Sequence, residues 1–229
     1  MGQEIVKEAE LNKEFNIISG ISRNIENIEK MPDVIIDFSV PEFSMQVLNF
    51  AKANKIPMVI GTTGFNEMDA KKIWEYSKEI PIFKSSNMSI KINVMANIVS
   101  DLSSIFDDSD IELIEMHHNE KADAPSGTAL MIADKINENL NRKRTYEYNR
   151  HGKKEKRKKN EIGIHSIRGG SEVGKHTVLF LANNESLEIS HIAKSRRIFA
   201  SGALSATKFI VQKSSGFYSM NDLVKTWLK

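Results

Sequence analysis

The sequence predicts an α/β protein in two parts: a parallel α/β half, followed by an α+β half with a mixed sheet. Up to about residue 90, short runs rich in Ile and Val alternate with amphipathic helical stretches, as in the βαβ units of a parallel sheet. Beyond that point, apolar and polar residues alternate along the strand-like runs, which is typical of one-faced strands. The 229 residues are enough for two small domains.

The first half contains four short runs that are apolar throughout, as expected for strands buried on both faces of a parallel sheet. These predicted strands are residues 15–22, 33–39, 56–64 and 80–86. Two predicted helices lie between them. Residues 42–53 place Met45, Val47, Leu48 and Ala51 on one face, and residues 66–78 place Met68, Ile73 and Trp74 on one face.

Turn-forming residues end three of these predicted strands. Ser-Val-Pro-Glu follows Asp37, Gly-Thr-Thr-Gly follows Ile60, and Ser-Ser-Asn begins at residue 85. Ligands of open α/β sheets bind at the carboxyl ends of the strands. The three turns therefore indicate a nucleotide-type domain that binds its ligand at this edge.

The second half begins with a predicted helix and continues with one-faced strands. The helix spans residues 91–106 and has as its apolar face Ile92, Met95, Ile98, Val99, Leu102 and Ile105. Alternating strands are predicted at residues 110–118, 161–168, 175–182 and 186–193. Helical patterns return at 202–212 and 219–228, and we expect this last stretch to return to the first domain.

The stretch IEMHHNEKADAPSGTAL, residues 114–130, carries the most chemical information. It delivers His117 and His118 to the end of a predicted strand, where neighbouring side chains point to opposite faces. Only one of the two can therefore face a given site, unless the chain turns there. Lys121 follows in the loop and can fold back toward the strand end.

A Pro-Ser-Gly-Thr turn then opens a predicted helix. Ser126 suits the cap position, and the backbone N–H groups of Gly127 and Thr128 would form an anion site. A histidine, a lysine and an anion-binding turn within residues 117–128 indicate a carboxylate substrate and a proton-transfer step. The alternatives are a metal site, disfavoured because adjacent strand histidines diverge, and a purely structural loop.

Composition excludes several functional classes. Without cysteine the chain has no disulfide, thiolate nucleophile or cysteine-ligated metal, and no apolar run approaches the roughly 20 residues of a membrane-spanning helix, so we expect a cytoplasmic protein. The net charge of +2 gives no reason to expect nucleic acid. The basic run 152–159 is interpreted as a solvated loop or as a positive rim that attracts an anionic substrate. His165, His176 and His191 are interpreted as packing or hydrogen-bonding residues.

The stretch at 115–130 resembles the signature E-x-H-H-x-x-K-x-D-A-P-S-G-T-A of the 4-hydroxy-tetrahydrodipicolinate (dihydrodipicolinate) reductases, and it matches every fixed position. Other segments of that family recur in order, among them VIIDFSVPE (34–42), VIGTTGF (59–65), SIRGGSEVGKHTVLF (166–180) and LEISHIAKSRRIFASGA (187–203). The resemblance implies reduction of 4-hydroxy-tetrahydrodipicolinate to tetrahydrodipicolinate by NADPH or NADH, in lysine and diaminopimelate biosynthesis. It implies a Rossmann-like dinucleotide-binding domain over 1–89, to which 197–229 return. Residues 90–196 are implied to form an α+β substrate-binding and tetramerisation domain.

The resemblance also implies roles for individual residues. His117 is implied as the proton donor or acceptor, and Lys121 as a second proton donor. The residues implied to hold the dicarboxylate substrate are His118, Gly127, Thr128 and Arg196, the last near the domain junction. The residues implied to contact the cofactor are Arg23, Gly61, Thr62, Thr63, Ser85, Ser86, Asn87 and Met88. The implied assembly is a homotetramer, with no metal, nucleic acid or membrane as partner.

Two departures from the family pattern are informative. The family often has an acidic residue before the arginine at position 23, but here Ser22 stands there; this favours NADPH over NADH, because a carboxylate would repel the 2′-phosphate. The family also begins with a strand and a glycine-rich turn, of which only the final Met-Gly is present. We expect the missing part to be encoded just upstream, because without it the strands on either side lose their common partner. The alternatives are a non-catalytic relative that binds nucleotide poorly and another nicotinamide-dependent reductase of this architecture.

Overall fold

The computed structural model describes residues 1–21, 25, 28, 30–148, 150, 152 and 154–227. The chain divides into two compact units, Met1–Ile90 together with Arg196–Lys229, and Lys91–Ser195. In chain order the helices and strands are α1 (Gly2–Glu10), β1 (Ile35–Asp37), α2 (Pro41–Ala53), β2 (Met58–Ile60), α3 (Glu67–Ser77), β3 (Pro81–Lys84), α4 (Ile90–Ile105), β4 (Asp110–His117), α5 (Gly127–Asn139), β5 (Thr145–Glu147), β6 (Glu161–Arg168), β7 (Gly174–Leu181), β8 (Ser186–Ala193), α6 (Arg197–Ile210), β9 (Gly216–Tyr218) and α7 (Met220–Lys225). None of the described helices is long and apolar enough to cross a lipid bilayer.

The first unit is built on a four-stranded sheet with the order β1-β2-β3-β9, in which every neighbouring pair is parallel. The predicted parallel α/β half is therefore confirmed. Strand β2 is buried along its whole length, as its uninterrupted apolar run predicts. Helix α2 begins with Pro41, whose fixed φ suits the first helical position. The Asn66 side chain caps α3 by accepting the N–H of Asp69 at 2.9 Å.

Several details of this unit differ from the prediction. Residues 15–21 form no strand, because a strand needs a hydrogen-bonded neighbour and the strands described in this sheet pair only with one another. Helix α3 buries Ile73 but leaves Met68 78% and Trp74 51% exposed, since only a narrow stripe of the helix faces the sheet. Strand β9, which the sequence does not predict, pairs with β3 over three residues, too few to leave a periodic pattern.

The second unit is built on a five-stranded sheet with the order β5-β6-β4-β7-β8. Strands β5, β6 and β4 are parallel to one another, whereas β7 is antiparallel to both β4 and β8. The predicted mixed sheet is therefore confirmed. Helices α4 and α5 pack on one face of it, around Ile111 and Leu113 of β4. Helix α4 leaves Ile98 45% and Ile105 69% exposed, so its buried face is narrower than the apolar pattern predicts.

The basic run 152–159 is not uniformly solvated. Arg157 turns inward, and its guanidinium donates to the carboxylates of Asp110 at 2.6 Å and Glu112 at 2.8 Å. The other described lysines of the run are exposed, and Lys153 lies outside the described residues. One of the basic residues therefore anchors the loop to the sheet, which its composition alone does not reveal.

Candidate active site

Strand β4 carries the histidine of the signature stretch to the carboxyl end of its run. Side chains along β4 alternate between the two faces, and every second residue from Ile111 to His117 is buried. Glu115 and His117 therefore lie on the same face as the core residues Ile111 and Leu113. The buried row changes along the strand from apolar side chains to ionisable ones, and this change marks the site.

Glu115 is completely buried and lies at the centre of a hydrogen-bonded network. Its carboxylate accepts two bonds from the guanidinium of Arg168, at 2.7 and 2.9 Å. It also accepts the backbone N–H of Ser126 at 3.2 Å and lies 2.5 Å from Nδ1 of His117. Burial raises the pKa of this carboxyl, but hydrogen bonds from Arg168, Ser166 and His117 outweigh burial and lower the pKa to about 2. Glu115 is therefore ionised throughout the physiological pH range.

The ring of His117 is enclosed by its neighbours in the sheet. His176, which lies opposite Glu115 in the pairing of β4 with β7, meets the ring edge to face with centroids 5.2 Å apart. Gly174 leaves room for the ring, because a Cβ there would lie 3.0 Å from Nε2. Burial lowers the pKa of His117, although Glu115 opposes this, and the positive charge of Lys121 lowers it further. His117 is therefore a weaker base than an exposed histidine.

The loop after β4 is hydrogen-bonded to the loop between β6 and β7 and to itself. The N–H of His118 donates to the carbonyl of Glu172 at 2.8 Å, and the N–H of Lys121 donates to the carbonyl of His118 at 3.2 Å. The Lys121 ammonium donates to the carboxylate of Asp123 at 2.6 Å, and the Asp123 carbonyl accepts a bond from Arg168 at 2.6 Å. These bonds hold Lys121 against the loop, with its side chain 21% exposed.

The first turn of α5 contains the residues of the predicted anion site. Ser126 caps the helix as predicted, because its hydroxyl accepts the N–H of Ala129 at 3.2 Å. The same hydroxyl lies 3.1 Å from Nε2 of His176, which confirms the predicted hydrogen-bonding role of that histidine. A Cβ on Gly127 would meet nothing within 4 Å. The space beside Gly127 is therefore open on that side.

The predicted cofactor residues other than Arg23 lie in the first unit, after β2 and β3. The buried carboxylate of Asp37 accepts bonds from the hydroxyls of Thr62 at 2.7 Å and Ser44 at 2.5 Å. The N–H of Gly61 donates to the carbonyl of Asp37 at 2.8 Å. A Cβ on Gly61 would lie 2.4 Å from the ring of Phe38, so a side chain at this position would require that ring to move. The turn after β2 is therefore held in place by hydrogen bonds to Asp37 at the end of β1.

The turn at residues 85–88 is joined to the end of β2. The N–H of Ser85 donates to the carbonyl of Ile60 at 3.1 Å, and the Ser85 hydroxyl donates to the carbonyl of Asn87 at 2.8 Å. The side chain of Met88 is buried in the core of the first unit, so its backbone is what it can offer to a ligand. The two turns therefore form one continuous edge at the carboxyl ends of the strands.

The remaining predicted residues occupy different places. Thr63 and Ser86 are exposed in the two turns. Arg196 is exposed and precedes α6 in the first unit. Arg23, like Ser22 before it, lies outside the described residues. Within the part of the chain that the structure describes, no group of three or more His, Asp or Glu side chains is arranged to hold a metal ion.

Sequence reasoning did not identify Glu115, Arg168 or Asp37 as parts of the site. Glu115 carried a usable signal, because a residue two positions before His117 on a strand must share its face. Arg168 carried none, since it is 53 residues from Glu115 in the chain and meets it only through the pairing of β4 with β6. Asp37 could be found as the polar residue that ends an otherwise apolar strand.

Comparison with known proteins assigns both units to one family. Residues 2–88 match the family model described as dihydrodipicolinate reductase, N-terminus, and residues 91–224 match the one described as dihydrodipicolinate reductase, C-terminus. A 4-hydroxy-tetrahydrodipicolinate reductase of Caldanaerobacter subterraneus subsp. tengcongensis is 47% identical, over 98% of this chain and 94% of that protein. The Clostridium tetani protein of the same name is 45% identical, over 97% of this chain and 88% of that protein.

A solved structure has the same fold. The dipicolinate-bound dihydrodipicolinate reductase from Paenisporosarcina sp. TG-14 aligns with a TM-score of 0.78, over 96% of this chain and 94% of that one. The two sequences are 24% identical. At this identity the likeness concerns the architecture, which combines the parallel sheet of the first unit with the mixed sheet of the second.

Proposed function

The chain belongs to the dihydrodipicolinate reductase family, and from that membership we infer that it is an oxidoreductase that reduces 4-hydroxy-tetrahydrodipicolinate to tetrahydrodipicolinate with NADH or NADPH. This reaction belongs to lysine and diaminopimelate biosynthesis. The observation that supports this inference most strongly is that the family's N-terminal and C-terminal domain models match in order along nearly the whole chain. A non-catalytic relative is not favoured, because identity to a named reductase reaches 47% over 98% of the chain.

The first turn of α5 and the loop before it form the proposed site for the substrate's carboxylates. The N-terminus of a helix carries partial positive charge and unpaired N–H donors, and the open backbone at Gly127 lets an anion approach. Thr128, His118 and Lys121 are proposed as further donors around this turn. A dicarboxylate fits the site, because the buried Glu115 is already neutralised by Arg168 and does not repel it.

His117 is the proposed acid–base residue, and Lys121 the proposed second proton donor. A reduced nicotinamide, when bound, supplies the hydride. The matching proton must come from a group beside the carboxylate-binding turn, and His117 is the buried titratable group whose proton can be exchanged there. Because burial lowers its pKa, His117 gives up a proton more readily than an exposed histidine does.

The two turns after β2 and β3 are proposed to hold the cofactor. The residues fit a dinucleotide, since hydroxyls and backbone N–H groups gather at the carboxyl edge of a parallel sheet, where such ligands bind. Thr62 is buried and fixed by Asp37, whereas Thr63 and Ser86 are exposed and available. Arg196 is proposed as a substrate residue and Arg23 as the contact of a 2′-phosphate, which would favour NADPH. A comparison of KM for the two cofactors tests the latter point.

We propose that residues 1–89 with 197–229 bind the dinucleotide, and that residues 90–196 bind the substrate and form a homotetramer. Apolar side chains on the mixed sheet support the assembly: Ile167 and Ile192 are 42% and 52% exposed on the second unit. Ile167 pairs with Met116 of β4, and Ile192 lies in the same row across the sheet. This row is on the face of the sheet opposite the core. Equilibrium sedimentation of the protein tests the stoichiometry.

The cytoplasm is the proposed location. The reaction consumes a diffusible nicotinamide cofactor and serves amino-acid biosynthesis, and both belong to that compartment. Fractionation of cells that express a tagged chain tests this: recovery outside the cytoplasmic fraction would contradict it.

The experiment that tests the proposed function is oxidation of NADPH with freshly prepared 4-hydroxy-tetrahydrodipicolinate. We expect turnover by the chain and its loss, by about 100-fold or more, in His117→Gln and in Lys121→Gln, because general acid–base catalysis contributes about 10²–10⁴-fold. His165→Gln is the matched control: this histidine lies on β6 and bonds Glu112 at 2.7 Å instead of Glu115. Equal rates in all four proteins would contradict the assignment of His117 and Lys121.

A further inference from the structure

Glu115 is a buried charge that the proposed chemistry does not itself use. It is completely buried, and a buried carboxylate is costly unless its partners compensate it fully. An apolar residue at this point of β4 would continue the row formed by Ile111 and Leu113 without that cost. The presence of a carboxylate with several dedicated partners therefore requires an explanation beyond stability.

We propose that Glu115 is a positioning residue for catalysis: fixed by Arg168, it holds the ring of His117 with the hydrogen on Nδ1 and leaves Nε2 to exchange the proton with the substrate. This inference rests on the proposed role of His117 as the acid–base residue. It adds the group that sets the tautomer and the orientation of the ring.

The hydrogen bond itself determines which nitrogen is free. Nδ1 of His117 lies 2.5 Å from the Glu115 carboxylate, and an ionised carboxylate can only accept hydrogen bonds. Nδ1 must therefore be the nitrogen that carries the hydrogen in the neutral ring, and the lone pair lies on Nε2. A histidine without this partner would divide between two tautomers, of which only one presents a base at Nε2.

The carboxylate cannot turn away from His117, because its other bonds fix its plane. Arg168 binds both of its oxygens, a planar two-point contact that restricts rotation. Ser126 donates its backbone N–H to one of the same oxygens. Arg168 is itself held by the carbonyl of Asp123. The orientation of His117 is thus tied to β6 and to the loop that begins α5.

The charged and titratable groups around His117 come from each neighbouring element. Glu115 lies on its own strand, Arg168 on β6 and Lys121 in the loop, and all three contribute to its electrostatic environment. His176 on β7 contributes no charge at neutral pH, because burial lowers its pKa to about 3. Glu115 is therefore the negative group that opposes the positive charges around His117.

The chain offers a matched control on the same strand. Glu112 also accepts bonds from an arginine and a histidine, Arg157 at 2.8 Å and His165 at 2.7 Å. It lies on the opposite face of β4 from Glu115, since the two are an odd number of positions apart. Replacing Glu112 therefore removes a similar ion-pair cluster without touching the ring of His117.

The first measurement is the tautomer of His117 in the unmodified protein. The ¹⁵N chemical shifts of labelled histidine distinguish a protonated from a bare ring nitrogen, and the His117→Gln spectrum assigns the signal. We expect Nδ1–H in the neutral ring. A neutral His117 with its hydrogen on Nε2 would overturn the proposal, and this result does not depend on whether any Glu115 variant folds.

The second measurement compares the kinetics of Glu115→Gln, Glu115→Asp and Glu112→Gln. We expect Glu115→Gln to lower kcat about 10- to 100-fold, as is typical when the partner that orients a functional histidine is lost, with KM changed little. The pH profile should also move, since removing the negative partner lowers the pKa of His117. Glu115→Asp should restore part of kcat, and Glu112→Gln should remain within about twofold of the parent, because it leaves His117 untouched.

The His117→Gln variant separates two kinds of failure. If it retains full activity, the proposed role of His117 is wrong. If it is inactive while Glu115→Gln keeps the kcat and pH profile of Glu112→Gln, the role of His117 stands and the positioning inference is overturned. A loss of kcat in Glu115→Gln with an unshifted pH profile would also count against positioning, because it would indicate general damage to the fold.

Discussion

Gly202 in α6 is the position where a single methyl group should most disturb the cofactor-binding edge of the first unit. A Cβ at Gly202 would lie 1.7 Å from the carbonyl oxygen of Met88 and 2.8 Å from its carbonyl carbon. Met88 belongs to the turn at residues 85–88 that is proposed to hold the nicotinamide cofactor. Because the obstacle is backbone, it cannot move aside by changing a rotamer. The variant Gly202→Ala must therefore displace the helix or the turn.

The displacement can be estimated from the contact distance. An ordinary van der Waals contact begins at 3.4 Å, so one element must move by about 1.7 Å, the difference from the 1.7 Å found. Overpacking of this kind typically costs 1–3 kcal/mol, and we expect about 3 kcal/mol here because the contact is with backbone. That corresponds to a Tm lowered by about 6–12 °C. A displaced turn should also lose one or two hydrogen bonds to the cofactor, each worth about 1.5 kcal/mol, so NADPH affinity should fall about 10- to 100-fold.

The assay combines thermal unfolding with titration of NADPH fluorescence. The matched control is Gly20→Ala in the same unit, where an added Cβ would meet nothing within 4 Å. We expect the control to keep the Tm and NADPH affinity of the parent. If Gly202→Ala unfolds within 2 °C of the control and binds NADPH equally well, then α6 and the turn are not held at this distance.

Three further predictions concern other contacts. Thr62→Val removes a hydrogen-bond donor from the buried carboxylate of Asp37 and should lower the free energy of unfolding in urea by about 1–3 kcal/mol. The control Thr63→Val, at an exposed position, should change it by no more than about 0.5 kcal/mol. Equal urea midpoints for the two variants would contradict the hydrogen bond between Thr62 and Asp37. Burial lowers the pKa of His176 from its ordinary 6.5 to about 3. Between these pH values the unfolded chain binds a proton that the folded chain does not, so the free energy of unfolding decreases as the pH falls below 6.5, by about 2 kcal/mol at pH 5 relative to pH 7. A His176→Gln variant whose stability had the same pH dependence as the parent's would refute this. Arg157→Gln should destabilise the protein by about 2 kcal/mol or more, because its ion pairs with Asp110 and Glu112 are lost. The control Lys156→Gln should not change the urea midpoint. A larger loss of stability in Lys156→Gln than in Arg157→Gln would show that Arg157 does not anchor the loop.

Local periodicity predicted most of the fold because it reports which faces of an element are buried. Uninterrupted apolar runs indicated the parallel sheet, and alternating runs indicated the one-faced strands of the mixed sheet. The predictions failed at positions where the apolar pattern of the sequence did not correspond to burial in the structure. Met68 and Ile105 continue an apolar pattern but are exposed, since the width of the covered stripe depends on the neighbour that packs against the helix. Residues 15–21 have a strand-like composition without a paired neighbour.

The sequence by itself determined the chemistry-bearing segment of this protein: the histidine at a strand end, the lysine after it, and the serine-capped turn that opens a helix. These features depend on residues close together in the chain, where backbone geometry alone fixes which side chains share a face. Only the tertiary structure decided what surrounds His117, because Arg168 and His176 reach it through strands that pair across more than fifty residues. Strand register is a long-range property set by packing of the whole sheet. The partners that give the histidine its environment could therefore not be identified from the segment that contains it.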